Sequence, residues 1–348
     1  MIKVSVIGAT GYTGIELIRI LKNHPMVSIS KLYSESYKEN KADEIYPHLK
    51  NNLNLKFCEF SKEKFEDDCD VIFMALPHGH ALNLASFFIN KNKKVIDFSA
   101  DFRIKDKNNF YQWYQKEHTE KEILKNALYG LPEITDKINY NHIDFIANPG
   151  CYPTAILLAT IPLLKFNLIE VEHCIFDAKS GVSGAGRSLQ LNSHFCEINE
   201  NINAYQIAGK HRHIPEIEEQ LNKFSIKNLK IQFTPHIIPV TRGMHITSYF
   251  HLKDNVSEND IYESYLNFYQ KSSFIRIYKD NSLPQIKNIK GTNYCDIGFQ
   301  IDPRTNKLIV ISVIDNLIKG AVGQAIQNMN LMFHLEEDLG LHFITNYP

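Results

Sequence analysis

Cys151 stands in the run Asn148-Pro149-Gly150-Cys151-Tyr152-Pro153-Thr154, between an apolar strand, Phe145-Ile146-Ala147, and an apolar helical stretch that begins near Thr154. A thiol at the first turn of a helix faces unpaired backbone N–H groups and the positive end of the helix dipole, both of which favour thiolate over thiol. Such a cysteine is a nucleophile. Pro149 and Gly150 impose a tight turn before it, and Pro153 suits the first helical positions, where a missing N–H costs nothing. A thiolate enzyme also needs a proton carrier near neutral pH, and histidine, with an unperturbed pKa of about 6.5, fits. Lys210-His211-Arg212-His213-Ile214-Pro215-Glu216-Ile217 supplies two histidines and an arginine just before a helix whose first position is Pro215. Upstream, Ser180-Gly181-Val182-Ser183-Gly184-Ala185-Gly186-Arg187 follows a strand, and a loop of this kind is expected to expose backbone N–H groups to an oxyanion or phosphate.

A second constellation lies at the start of the chain. Lys3 to Ile7 is a short β-branched strand that runs into Gly8-Ala9-Thr10-Gly11-Tyr12-Thr13-Gly14 and then the helical pattern Ile15 to Leu21. The glycines allow dihedrals and close approaches that a Cβ would block, and the helix N-terminus presents N–H groups to a pyrophosphate. Ser28 to Tyr33 reads as the second strand, followed by Ser34, Glu35, Ser36 and Lys38 where such sheets meet the adenosine ribose. Hydroxyls with a lysine suit a 2′-phosphate better than a bare 2′-hydroxyl, so NADP is expected over NAD.

These sites need elements to hold them. Asp70 to Leu76, ended by Pro77, and Lys94 to Ser99 read as further strands, with a helix from His80 between them, which indicates a parallel sheet with right-handed crossovers. His78, at the end of one strand, reads as a loop residue without a catalytic role. Thr234 to Met244 is a strand interrupted by Pro235 and Pro239, which confines it to an edge or a bulge. Met244 to Leu252 and Leu308 to Asp315 alternate as in an antiparallel sheet with one covered face. Asn316 to Glu337 reads as a helix. The fold class is therefore α/β, a Rossmann-type parallel sheet domain joined to a second, α+β domain with a mixed or antiparallel sheet.

Bulk properties bound the partners. The 38 Lys plus Arg against 39 Asp plus Glu leave a net charge of -1, so no global field favours nucleic acid or an anionic membrane. The six cysteines are scattered without a C-x-x-C pair, against a zinc knuckle or a disulfide framework and for a reducing compartment, the cytoplasm. Met1 to Gly8 carries no signal-peptide pattern, so the mature chain is expected to start at residue 1. The longest apolar stretch, Ala155 to Leu164, is too short to cross a bilayer, contains Pro162, and reads as a buried core helix.

Taken together the motifs resemble the N-acetyl-γ-glutamyl-phosphate reductase family of the aspartate-semialdehyde dehydrogenase superfamily. The matching stretches are Gly8 to Gly14, Leu76 to Gly79, Asp97 to Arg103, Tyr129 to Glu133, Asn148 to Thr154, Ser180 to Arg187, His211 to Ile217, Pro239 to Gly243 and Asn316 to Asn330, in order along nearly the whole chain. The resemblance implies an NADP-binding domain over 1–150 plus 316–348 and a catalytic domain over 151–315, with the C-terminal helix returning to the first. It implies Cys151 as nucleophile and His213 as acid/base, with His211 the other candidate. Gly8, Thr10, Gly11, Tyr12, Thr13, Gly14, Ser34 and Ser36 would hold NADP. Arg103, Asn148, Ser180, Arg212 and Glu216 would hold substrate, with Arg242 a further anion partner.

The activity so implied is NADPH-dependent reduction of N-acetylglutamyl 5-phosphate to the 5-semialdehyde through a cysteine thioester, a step of arginine biosynthesis, by a homodimer or homotetramer with a small acyl phosphate as substrate. Two features depart from the family pattern: Ser34-Glu35-Ser36 stands where a basic residue is frequent, and His245 where an aliphatic residue is expected. The competing readings are the same chemistry on aspartyl phosphate or an aminoadipate-derived acyl phosphate, or a non-catalytic NADP-binding regulator, which would have no need for Cys151, His213 and Arg103 together.

Overall fold

Short β-branched runs punctuated by glycine and proline form two separate seven-stranded sheets. A computed structural model describes residues 1–279 and 282–346 and divides them into two units, Met1–Pro149 with Ala321–His342, and Gly150–Gly320 with the stretch from Phe343. The second unit thus runs on to Gly320 rather than ending at 315, and it takes in the stretch after His342.

In the first unit the strands are β1 (Ile2–Ile7), β2 (Val27–Tyr33), β3 (Phe57–Cys58), β4 (Val71–Met74), β5 (Lys94–Asp97), β6 (Leu128–Tyr129) and β7 (Phe145–Ala147). Their order is β3-β2-β1-β4-β5-β7-β6, with every neighbouring pair parallel. Such strands are covered on both faces and must be apolar throughout, and β4 is buried at each of its four positions. The register brings Ile7, Tyr33, Met74, Asp97, Ala147 and Tyr129 level, so the carboxyl ends form one crest. The chain reverses its direction of winding between β1 and β4, the place where ligands of open parallel sheets collect. The helices of this stretch are α1 (Tyr12–Leu21), α2 (Ala42–Ile45), α3 (Ala85–Asn90), α4 (Lys107–Tyr114) and α5 (Lys121–Asn126). The helix expected from His80 is preceded by a tighter turn, Ala81–Asn83.

The second unit holds α6 (Cys151–Lys165), α7 (Phe195–Ile198), α8 (Ile214–Leu221) and α9 (Glu258–Tyr269) against β8 (Cys174–Gly181), β9 (Asn203–Ala204), β10 (Ile231–Ile238), β11 (Met244–His251), β12 (Ile275–Ile277), β13 (Cys295–Asp302) and β14 (Lys307–Ile314). The order is β12-β13-β14-β11-β8-β10-β9, and the sheet is mixed: β8 and β10 are parallel, as are β12 and β13, while the other pairs are antiparallel. β10, the strand containing Pro235, pairs with β8 along its length, and its outer side is met by Asn203 and Ala204 of β9 and by the Tyr205 N–H at the Pro235 carbonyl. It is an edge strand in all but those positions. In β11 Met244, Ile246, Ser248 and Phe250 are buried and the residues between them half-exposed, the alternation of a sheet with one covered face.

α6 is apolar all round and buried from Tyr152 to Leu164. Pro162 inside it lacks the N–H that would reach the Leu158 carbonyl, and Tyr269 from α9 donates its hydroxyl there instead, at 2.6 Å. Tyr265 does the same for Ala159 at 2.5 Å.

The C-terminal stretch is not one helix from Asn316 to Glu337. Asp315 accepts from the Leu317 N–H at 2.8 Å, a wide π-turn spans Ile318–Val322, and α10 runs only from Gly323 to Met332. His334 adopts φ 55° and the Leu335 N–H returns to the Asn330 carbonyl at 2.8 Å, a left-handed closure made without glycine. The periodic pattern had no glycine there to mark the stop.

Candidate active site

Cys151 is the first residue of α6, not a residue ahead of it. Gly150 is the N-cap, extended at φ -71° and ψ 157°, and its carbonyl accepts from both the N–H and the hydroxyl of Thr154, each at 2.9 Å. These bonds start the helix three residues earlier than its apolar pattern suggested. No side chain caps the helix, so its first-turn N–H groups converge beside the half-exposed thiol. Glu216, 1% exposed on α8, accepts from the Gly150 N–H at 2.9 Å and fixes the turn on which the thiol sits. In the π-turn Gly320 stands directly behind it: a Cβ there would come 2.7 Å from Cys151 Cβ.

Next to the thiol, the buried ring of Tyr152 meets His211, His213 and Phe233 edge-on with centroids 5.5, 5.9 and 5.2 Å away. Tyr205 donates its hydroxyl to that of Tyr152 at 3.2 Å. The two histidines differ in kind. His211 is 4% exposed, its Nδ1 accepts the His213 N–H at 3.1 Å, and burial followed by the charge of Arg212 pushes its pKa down to about 3. Both causes favour its neutral form, whereas His213 is half-exposed at the start of α8.

Ser180 is the second-last residue of β8, buried, with its hydroxyl donated to the Gly181 carbonyl at 3.1 Å and also reaching Tyr152. The loop that follows it corrects one expectation. The N–H groups of Gly181, Val182 and Ser183 donate to the carbonyls of Gly243, Val240 and Thr241 at 2.9, 2.9 and 3.1 Å, so they are not presented to an anion. Gly181 is needed for that approach, since a Cβ there would lie 2.8 Å from the Val240 carbonyl oxygen. Arg242 sits 3.8 Å from the carboxylate of Asp315, while Arg212 is exposed. His245 lies on the half-exposed side of β11 opposite Lys179, away from the face that α6 covers.

Arg103 and Asn148 belong to the first unit. Arg103, 4% exposed, donates Nε to the Asn148 carbonyl at 2.7 Å and Nη2 to the Phe98 carbonyl at 2.6 Å. Asn148 is fully buried, with its amide donating to the Ala321 carbonyl at 3.1 Å and accepting from Asn328 at 2.9 Å. His78 accepts the Ala100 N–H at 2.8 Å and is structural.

The glycine turn fits a dinucleotide. Gly8 adopts φ 79°, and a Cβ there would run into the Ala75 carbonyl, as one at Gly14 would into the Gly8 carbonyl. A Cβ on Gly11, the N-cap of α1, would meet nothing closer than 3.7 Å, and no side chain caps that helix. The first turn, Tyr12, Thr13 and Gly14, therefore offers its donors to a phosphate. Thr10 and Ser34 come together, hydroxyl to hydroxyl at 3.0 Å, and Tyr46 bonds the Thr10 carbonyl at 2.6 Å. Ser36 is exposed, and Lys38 pairs with Glu59 at 3.4 Å. In the first turn of α10, close to Ala321, the fully buried Gln324 has no hydrogen-bond partner for either amide atom among the described residues. An orphaned primary amide of that kind matches the carboxamide of a nicotinamide.

Tyr205, Gly320 and Gln324 were not legible as site residues. Gly320 did interrupt a helical pattern, which is the signal of a close approach.

Residues 3–142 match the family model described as semialdehyde dehydrogenase, NAD binding domain, and residues 151–316 the model described as semialdehyde dehydrogenase, dimerisation domain. The fold agrees with solved structures: aspartate semialdehyde dehydrogenase II from Vibrio cholerae superposes with a TM-score of 0.73 at 17% identity over 96% of this chain and 98% of that one. The enzyme from Candida albicans, solved with NADP, gives 0.67 at 15% identity over 97% and 99%. Dinucleotide turn, helix-borne thiol and mixed sheet define an oxidoreductase of the semialdehyde dehydrogenase class. Within it, the N-acetyl-gamma-glutamyl-phosphate reductase of Pelotomaculum thermopropionicum is 48% identical over 347 residues, 100% of this chain and 99% of the relative, and that of Alkaliphilus metalliredigens 49% identical over 348 residues and all of both chains. The chain belongs to the N-acetyl-γ-glutamyl-phosphate reductase family.

Proposed function

We propose that the chain reduces N-acetyl-L-glutamyl 5-phosphate to N-acetyl-L-glutamate 5-semialdehyde and phosphate, with NADPH as reductant and Cys151 as nucleophile. The observation that carries the reading is the placing of Cys151 at the uncapped first turn of α6, with its turn held by Glu216 and with His213 beside Tyr152.

The Cys151 thiolate attacks the acyl carbon, the C–O bond to phosphate breaks, and a thioester remains. First-turn N–H groups of α6 stabilise the oxyanion of the tetrahedral species, and the exposed Arg212 would meet the substrate's anionic groups. Bound NADPH supplies the hydride that takes the thioester to the aldehyde level. His213 then protonates the sulfur as the thiohemiacetal collapses, a role that His211, buried and neutral, does not fit. Gly8, Gly11 and the first turn of α1 would hold the pyrophosphate, Thr10 and Ser34 the ribose side, and Gln324 the carboxamide. Ser180 supports the site through Tyr152 and Glu216 by fixing Gly150, while Arg103 and Asn148 are assigned to substrate by the family resemblance.

The match to a dimerisation domain over 151–316 supports a homodimer or homotetramer built through the second unit. No helix among the described residues is long and apolar enough to cross a membrane, and a cytoplasmic site suits six free cysteines. The assay that tests the reaction couples purified protein, NADP and phosphate to N-acetylglutamate 5-semialdehyde and, separately, to aspartate semialdehyde. Phosphate-dependent NADPH formation with the first and little with the second is expected; the reverse preference overturns the substrate.

A further inference from the structure

In the second unit, residues 184–210 are exposed except Ser193, Ile198 and Tyr205. This is not the composition of a solvated loop. Leu189, Leu191, Phe195 and Ile202 are 95%, 73%, 76% and 63% exposed, and between Ser188 and Gly209 the only acidic or basic groups besides His194 are Glu197 and Glu200. Large apolar side chains grouped on one segment mark an interaction surface, and a connection of this length without a core of its own is normally functional. The arm is fastened at its far end, where Asn203 and Ala204 pair with Ile237 and His236 and the Tyr205 N–H donates to the Pro235 carbonyl at 3.1 Å. Its next contacts lie beside Cys151: Tyr205 bonds Tyr152 and packs on His211 with ring centroids 5.5 Å apart.

We propose that a second copy of this chain covers Leu189, Leu191 and Phe195, and that by fixing the arm it fixes Tyr205 against Tyr152, so that turnover at Cys151 depends on assembly. The inference rests on the oligomeric reading above and names the element that carries it. A second copy is the occupant because the segment lies within the stretch matched to a dimerisation domain. The arm also ends on β9, the edge of a sheet whose half-exposed side carries the Lys179–Asp177 pair, His245, His251 and Ile175, a mixed polar and apolar face. Tyr205 acts as a positioning residue, through Tyr152 and the His211–His213 pair.

The test uses the full chain and the double variant Leu191→Asp/Phe195→Asp, with Phe195→Ser as the milder substitute and circular dichroism confirming the fold of each. Light scattering gives the mass, maleimide labelling reports the exposed arm thiol Cys196, and turnover and NADPH binding are followed separately. Wild type is expected to protect Cys196 and to lose protection and specific activity at the same midpoint on dilution. The variant should be smaller, label fast, bind NADPH unchanged and turn over about 100-fold more slowly, the size of loss a displaced catalytic group produces. Tyr205→Phe should assemble as wild type and lose kcat with KM for NADPH unchanged. A variant of wild-type mass overturns the covering, and a smaller species or a Tyr205→Phe protein with wild-type kcat overturns the coupling. If no semialdehyde is turned over by wild type, the reaction assignment fails instead, while mass and Cys196 labelling still decide whether a second copy covers the arm.

Discussion

At the scale of single residues, the two histidines of His211-Arg212-His213 are told apart by burial. A His whose pKa lies near 3 carries no proton to give at neutral pH, so His211→Gln, which keeps an acceptor for the His213 N–H, should leave turnover near that of wild type in steady-state kinetics. His213→Gln, which removes the proton donor, should cost about 10²–10⁴ in turnover. Gly320→Ala puts a methyl group 2.7 Å from Cys151 Cβ, within backbone that has little room to give. Turnover should fall by about 100-fold with NADPH affinity unchanged, measured by steady-state kinetics beside a fluorescence titration. The thiol and the glycine turn were legible because their chemistry is local: proline, glycine and the strand-to-helix change sit within a few residues. Gly320 and Tyr205 were not, since each acts through a partner far along the chain, and nor was Gln324, whose orphaned amide only the fold reveals.

At the scale of elements, α6 sets the reactive end by burying the rest of itself. Its proline leaves one carbonyl without a helical partner, and Tyr269→Phe would strand that carbonyl in the core, destabilising the protein by about 1–3 kcal/mol in a urea titration. Activity of the folded fraction should persist, because Leu158 lies two turns from the thiol. β1, β2, β4, β5, β7, β8, β10, β11 and β14 were readable from β-branched runs and alternation, whereas β3, β6, β9 and β12, only two or three residues long, and β13 were not. The end of α10 was not, since His334 closes it in a left-handed conformation where pattern rules look for glycine. Likewise the loop after Ser180 has an anion-binding composition, yet the N–H groups of its first three residues are taken by a segment some sixty residues on, a pairing no local rule reveals.

At the scale of the whole molecule, two buried groups pull stability in opposite directions with pH. Asp97 in the first unit is raised to about 7 from 3.8, by burial and then by Asp101, so its contribution is complete below 3.8 and lost as pH rises through about 7. His211 in the second is lowered to about 3 from 6.5, so its contribution is complete above 6.5 and lost as pH falls towards 3. Asp97→Asn, which keeps the Ser99 contacts of the neutral acid, should raise the melting temperature at pH 8 relative to wild type and leave it unchanged at pH 4. A melting curve at each pH checks the sign.

The central claim is that an acyl group rests on Cys151 between phosphate and the cofactor. With N-acetylglutamate 5-semialdehyde and NADP but no phosphate, rapid mixing should give a burst of NADPH equal to the enzyme sites and then a stall, released when phosphate is added. The stalled protein should carry one N-acetylglutamyl group on the peptide containing Cys151, and Cys151→Ser should show neither burst nor adduct. Steady phosphate-independent turnover, or a burst with the acyl group on another residue, would contradict the account.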